Sequence, residues 1–124
     1  MTRDEAQAFA EWWAAAWNVR DFESVLERFH EDVVFTSPTA LAVVGERTVR
    51  GKAALRAYWT QAMAHIGSLH FTLDRVLWDE AGRELAIIYT SRIDGKAKRV
   101  SENLTFDPSG QVVAAEVFHG VPDP

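Results

Sequence analysis

A carboxyl group on an apolar strand face is the first candidate for chemistry in this sequence. Glu102 belongs to a predicted strand over residues 97–106, and the residues that share its face are apolar: Val100, Leu104 and Phe106. Successive side chains of a strand point to opposite faces, so Glu102 is predicted to lie among apolar neighbours. Burial disfavours the charged form of a carboxyl group and raises its pKa. Glu102 is therefore a candidate acid, base or hydrogen-bond donor.

A second interpretation of Glu102 gives it no chemical role. A β-bulge would break the alternation of faces and place the side chain at the strand edge. There it would pair with Arg92 or Arg99, both close in the predicted sheet. The sequence leaves both interpretations open.

The last predicted strand, 111–119, offers a partner for Glu102. If the alternation turns Val117 inward, His119 also points inward and lies near Glu102 on the adjacent antiparallel strand. A His–carboxylate pair is a usual acid/base arrangement near neutral pH. The alternative turns Phe118 inward and leaves His119 in solvent. We expect Glu102 and His119 to be the catalytic pair.

Further side chains are predicted to form a ligand pocket around this pair. Ser37 stands at the end of a strand, although a Ser before Pro also suits a turn without any function. Tyr89 either offers its hydroxyl to a ligand or is a core ring whose hydroxyl reaches the surface. The predicted ligand-binding residues are Trp13, Trp17, Phe35, Ser37, Trp59, Tyr89, Leu104 and Val117.

Composition narrows the class of protein. The chain has 124 residues without a linker or repeat, which predicts one domain over residues 1–124. Apolar residues make up 48%, enough to form a core and to exclude disorder as the dominant state. The net charge of −5 argues against a nucleic-acid partner, which needs a basic face. Without cysteine, disulfides and thiolate nucleophiles are excluded.

Known catalytic and cofactor motifs are missing from the sequence. It contains no HExxH, GxSxG, Walker-type or GxGxxG motif, so we predict neither a metal nor a cofactor. The charged start does not resemble a signal peptide, and no apolar run approaches the roughly 20 residues that span a bilayer. We expect a cytoplasmic protein with no membrane partner.

Helical patterns dominate the first half of the chain. Thr2 and Glu5 form a potential capping box before a helix over residues 3–18. Asp21 is a candidate N-cap for a second, short helix. A third helix is predicted from Gly51 onward, with apolar residues on one face.

The second half is β in pattern. A first strand ends at Ser37, and residues 38–50 are predicted to be a loop. Four strands joined by short turns then follow, which makes neighbouring strands antiparallel. We expect an α+β fold: a cone-shaped roll in which three N-terminal helices pack on a curved, mixed but mainly antiparallel sheet. The four strands are 69–78, 84–93, 97–106 and 111–119.

The alternation of faces in strand 69–78 changes phase partway along. Leu69, Phe71 and Leu73 alternate with polar residues, and apolar residues then recur at Val76 and Trp78. A bulge near residues 74–75 reconciles the two phases. Alternatively, the strand continues without a bulge and Trp78 lies on the outer face. An apolar outer face needs a cover, and we expect a homodimer formed through it.

The element order and a set of short motifs resemble the nuclear transport factor 2-like superfamily, and within it the SnoaL-like proteins. That group includes polyketide cyclases and ketosteroid isomerases. The resemblance covers nearly the whole chain and implies the fold more specifically than the reaction. Its motifs are Trp17-Asn18 followed by Asp21, Glu31-Asp32-Val33, Ser37-Pro38 and Arg50-Gly51-Lys52-Ala53-Ala54-Leu55.

The resemblance to ketosteroid isomerases carries over residue by residue. The catalytic Asp of that family stands just before the Pro that ends the first strand, where this chain has Ser37. The Tyr of the first helix that donates to the substrate corresponds to Trp13. The protonated Asp that is the second donor corresponds to Glu102. A serine hydroxyl does not replace a carboxylate base without activation, so steroid isomerisation by the family mechanism is not implied.

Two functions remain in competition at this stage. One is a cofactor-independent isomerase, cyclase or dehydratase that transfers a proton on a small apolar carbonyl compound. The other is a module that binds a small hydrophobic ligand, or only dimerises, without catalysis.

Overall fold

The first half of the chain forms four helices rather than the three predicted. In this computed structural model, which describes residues 1–122, the capping box is confirmed. Thr2 Oγ1 accepts a hydrogen bond from Glu5 N at 3.1 Å, and Glu5 Oε1 accepts one from Thr2 N at 2.9 Å. The helices are α1 (Arg3–Asn18), α2 (Phe22–Leu26), α3 (Pro38–Val44) and α4 (Lys52–Ala64).

Helix α3 lies in the segment that was predicted to be a loop. Ser37 is its N-cap: the Oγ atom accepts a hydrogen bond from Thr39 N at 3.1 Å. Pro38 occupies the first turn, where no intrahelical N–H is needed, and Gly45 ends the helix with a φ of 79°. The loop prediction was wrong because a Ser-Pro pair that stops a strand also starts a helix.

Six strands form one mixed sheet. In chain order they are β1 (Phe29–Thr36), β2 (Thr48–Arg50), β3 (Leu69–Asp79), β4 (Glu84–Ile93), β5 (Lys96–Phe106) and β6 (Val112–Pro122). The spatial order is β2-β1-β6-β5-β4-β3, with β1 and β6 parallel and every other pair antiparallel. The predicted α+β architecture is confirmed, and β2 is an additional strand in the segment predicted to be a loop.

The predicted bulge in β3 is also confirmed. The pairing register with β4 shifts between Leu73 and Arg75. Because of this shift, Val76 is buried on the same side as Leu73, and Trp78 packs against the core with its ring 6.1 Å from that of Phe106. The alternative that placed Trp78 on the outer face was wrong.

One amide holds α1 on the sheet. Asn18 Nδ2 donates to the carbonyl oxygen of Phe71 at 2.9 Å, and Asn18 Oδ1 accepts from Phe71 N at 2.7 Å. The two bonds join the last turn of α1 to β3. They hold Trp13 and Trp17, both buried, against the inner face of the sheet.

Aromatic rings fill much of the space between the helices and the sheet. Trp13 stacks on Phe71 at 5.5 Å and meets Tyr89 edge-on at 5.0 Å. Trp59 of α4 makes an edge contact with Trp17 at 4.9 Å. Such contacts stabilise beyond the area that they bury. None of the helices described is both long enough and apolar enough to cross a membrane.

Candidate functional site

A cavity of about 110 Å³ opens between helices α1 and α4 and the inner face of the sheet. Among the predicted site residues, those that line it are Trp13, Trp17, Phe35, Ser37, Trp59, Tyr89, Glu102, Val117 and His119. Leu104 does not line it, contrary to prediction. It lies two residues beyond Glu102 along β5, fully enclosed in the core between its strand partners Leu85 and Ala115.

Glu102 lies at the inner end of the cavity. Its side chain is on the same face as the buried Val100, Leu104 and Phe106, which confirms the alternation expected from sequence. The residue is only 6% exposed, and burial raises the pKa of its carboxyl group to about 7. The interpretation that paired it with Arg99 was wrong, because Arg99 forms a salt bridge with Asp74.

The hydrogen-bond partner of Glu102 is Tyr89 on the neighbouring strand. The Tyr89 hydroxyl donates to Glu102 Oε1 at 3.0 Å, which partly counters the rise in the carboxyl pKa. Burial and the charge of Glu102 together hold the pKa of Tyr89 well above its ordinary value. Tyr89 therefore stays protonated as a donor. Its hydroxyl neither reaches the surface nor remains free for a ligand while this bond is made.

A second group of hydroxyls lines the cavity where α3 and α4 meet it. Burial raises the pKa of Tyr58 to about 12, while interactions with the Ser37 and Thr39 side chains lower it. Sequence reasoning missed Tyr58 as a site residue because it belongs to the apolar stripe of α4. It missed Thr39 because α3 was taken for a loop.

The mouth of the cavity carries a basic pair. His119 Nδ1 lies 3.1 Å from Lys98 Nζ, and both residues are half-buried. Burial, followed by the charge of Lys98, lowers the pKa of His119. The imidazole is therefore neutral at pH 7, and Lys98 donates to its Nδ1. The inward placement of His119 is confirmed, since Phe118 on the opposite face is 53% exposed.

The predicted contact between Glu102 and His119 is not among the hydrogen bonds of residues 1–122. In the pairing of β5 with β6, Glu102 lies opposite Val117, whereas His119 lies opposite Val100. The two side chains share one face and one cavity at different depths. Lys98, the actual partner of His119, escaped prediction because a lysine near the start of a strand suggests a solvated residue.

Two indole groups contribute unpaired donors near the cavity. Trp13 Nε1 and Trp17 Nε1 are buried, and neither has a hydrogen-bond partner within the described part of the chain. A buried donor without a partner costs about 1–3 kcal/mol. As for metals, no group of three or more His, Asp or Glu side chains that would hold an ion occurs in residues 1–122.

The arrangement supports proton transfer at the inner end and binding of an acceptor at the mouth. A carboxyl group with a pKa near 7 is populated in both protonation states at neutral pH, as a general acid or base requires. The apolar walls exclude water and favour an apolar ligand body.

Comparisons with known proteins bear on this geometry. The model of the SnoaL-like domain matches residues 9–120. A SnoaL-like protein of unknown function from Burkholderia thailandensis is 30% identical; the match covers 97% of this chain and 98% of that chain, with a TM-score of 0.87. No curated protein sequence matches the chain.

Two solved structures with named activities are more distant. A steroid delta-isomerase from Pseudomonas aeruginosa is 21% identical, with a TM-score of 0.70 and coverage of 94% of this chain and 80% of that chain. SalBIII, an epoxide hydrolase/cyclase-like enzyme of pyran ring formation in salinomycin, is 17% identical, with a TM-score of 0.74 and coverage of 95% and 92%. At these identities the likeness extends to the fold alone. The domain match and the full-length likeness at 30% identity show that this chain belongs to the SnoaL-like domain family and has a nuclear transport factor 2-like fold.

Proposed function

We propose that this protein is a cofactor-independent enzyme that transfers a proton on a small, largely apolar carbonyl compound. The observation that carries the proposal is Glu102, a buried carboxyl group in an aromatic cavity, with a pKa of about 7 and a single hydrogen bond from Tyr89. Buried carboxyl groups with pKa values raised toward neutrality are typical of catalytic sites.

The proposed step is enolisation. The carboxylate of Glu102 removes a proton from the carbon next to the carbonyl group, and the electron pair of that C–H bond moves toward the carbonyl oxygen. The protonated Glu102 then returns the proton to a carbon of the enolate. Tyrosine hydroxyls with raised pKa values, such as Tyr58, suit the role of donor to the developing oxyanion. Tyr89 keeps the reacting carboxylate oriented.

A single carboxyl group has to serve both halves of this reaction. Among the described residues that line the cavity, Glu102 is the one carboxylate, and Ser37 stands where the isomerases of this fold have their base. A single base that takes and returns the same proton supports isomerisation between neighbouring carbons. It also supports exchange of that proton with solvent.

Exchange of protons for deuterium tests the proposal without knowledge of the natural substrate. Cyclohexanone, a ketone of suitable size, is incubated with the protein in D₂O, and α-deuteration is followed by NMR. Wild type should accelerate the exchange, and Glu102→Gln should lower that acceleration by about 10²–10⁴-fold. Glu116→Gln, on the exposed face of β6, is the matched control and should behave as wild type. No acceleration by wild type, or full activity in Glu102→Gln, contradicts the proposal.

A second candidate function is binding without catalysis, and the position of Ser37 favours it. The Ser37 hydroxyl accepts a hydrogen bond from Thr39 N and caps α3, which gives this residue a structural role. Under this alternative the cavity retains a small hydrophobic molecule unchanged. Native mass spectrometry of the purified protein distinguishes the two, since a bound mass that persists without turnover supports binding alone.

We also infer that a second copy of the chain covers the outer face of the sheet. Phe118 is 53% exposed there and borders a groove that also includes Val34, Ala114 and Glu116. Because ring and groove lie on one face, two copies related by a two-fold axis fit each into the other. Wild type should have the mass of a dimer at micromolar concentration, and Phe118→Asp that of a monomer. A monomeric wild type contradicts the inference.

A further inference from the structure

The mouth of the cavity holds hydrogen-bonding capacity that the proposed proton transfer does not use. Lys98 Nζ donates to His119 Nδ1 at 3.1 Å, and both side chains line the cavity. An ammonium group carries three N–H donors, so two remain for another acceptor. The mouth is therefore built to hold an acceptor group.

The positive charge of Lys98 has no acidic partner in residues 1–122. The salt bridges there involve Arg56, Arg75 and Arg99. Glu102, the other charged residue of the cavity lining, lies four residues along the same strand, a separation of about 13 Å between Cα atoms. An anionic acceptor at the mouth would thus meet a cation that no cavity side chain neutralises.

The depth of the cavity limits the size of the ligand. His119 lies opposite Val100, and Glu102 is two residues further along the strand, about 7 Å away. One six-membered ring with a polar group at each end spans this separation. The volume of about 110 Å³ agrees, because a cavity of about 150 Å³ accommodates benzene. A steroid skeleton exceeds this space.

We propose that the ligand is a small keto acid: a single ring or a chain of about six carbons, with its carboxylate at Lys98 and His119 and its carbonyl group near Glu102. The keto end of the ligand rests on the proposed function. The carboxylate end does not, because it follows from the basic pair alone.

Two probes that differ only in charge test the carboxylate end by calorimetry. They are 4-oxocyclohexanecarboxylate and its primary amide, which keeps the ring and the ketone. Wild type should bind the carboxylate about 10–100-fold more tightly, the range for a hydrogen bond to a charged group. Lys98→Met should abolish this preference and leave the affinity for the amide within about twofold. Lys96→Met, exposed on the same strand and outside the cavity lining, controls for net charge and should keep the preference.

Each outcome decides between the two proposals. Equal affinity for both probes in wild type, no binding of the carboxylate, or a preference that survives in Lys98→Met overturns the keto-acid assignment. Deuteration of the same probes is measured in parallel. A carboxylate preference without Glu102-dependent exchange keeps the assignment of the mouth and overturns proton transfer. Glu102-dependent exchange of cyclohexanone and the amide without a carboxylate preference does the reverse.

Discussion

The inner end of the cavity and its mouth treat charge in opposite ways. At the inner end, burial raises the pKa of Glu102 to about 7, and the one partner of the carboxylate is a neutral hydroxyl. At the mouth, Lys98 and His119 are half-buried and in contact, and the pKa of the imidazole is lowered. Both ends thus hold a neutral form of a titratable group near pH 7. The inner end does so by excluding water, and the mouth does so by burial together with a neighbouring cation.

Loss of the inner wall should have the largest effect. Trp13→Ala removes a ring that is 1% exposed and stacks on both Phe71 and Tyr89. It should lower the free energy of unfolding by about 3–5 kcal/mol, measured by urea denaturation. Trp12→Ala, one residue away and 37% exposed, is the control and should cost far less. Equal losses in the two variants would mean that the inner end is not tightly packed.

The pH dependence of stability should show the buried carboxyl group directly. The pKa of Glu102 is 4.5 as a model value and about 7 in the fold. Between these values the unfolded chain releases the proton and the folded chain keeps it, so the free energy of unfolding falls as pH rises. The fall should be about 3 kcal/mol from pH 4.5 to above pH 7, where it levels off.

Glu102→Gln provides the control for this prediction. The amide does not titrate, so the difference between the two proteins isolates Glu102 from the exposed carboxyl groups. Denaturation of both proteins at several pH values between 5 and 8 gives this difference. Parallel curves for wild type and Glu102→Gln would show that the carboxyl group titrates normally and that the inner end is wet.

At the mouth, the expected effect is smaller. The charge of Lys98 contributes to the lowered pKa of His119, although burial contributes more. Lys98→Met should therefore raise the pKa of His119 part of the way toward its ordinary value, which NMR titration of the ring protons measures. Lys96→Met should leave it unchanged. A pKa of His119 that does not respond to Lys98→Met would separate the two side chains in solution.

The pairing of β4 with β5 explains why part of the site was predictable. Asp94 and Gly95 form a two-residue turn with φ values of 51° and 83°, as expected from sequence. Such a turn sets the register of the hairpin, and here it places Tyr89 opposite Val100 and Ile87 opposite Glu102. The proximity of Tyr89 to Glu102 was therefore present in the sequence, although neither alternative considered for Tyr89 used it.

The pairing of β5 with β6 explains what was not predictable. Its register shifts twice, between Lys98 and Val100 and between Thr105 and Phe106. Irregularities of this kind have no reliable sequence signature, so the depth at which His119 faces Glu102 could not be derived. The short helix α3 failed for a different reason, since its Ser-Pro start has two valid structural interpretations.

The bulge in β3 acts as a parity switch. Before it, odd-numbered residues such as Phe71 point inward, and after it even-numbered residues such as Trp78 do. Asp74, the extra residue, is held outside by salt bridges with Arg75 and Arg99. A one-residue change in strand register exchanges the two faces of a strand. One strand thus supplies a cavity wall with one half and a core with the other, and the count of a single residue keeps the two compatible.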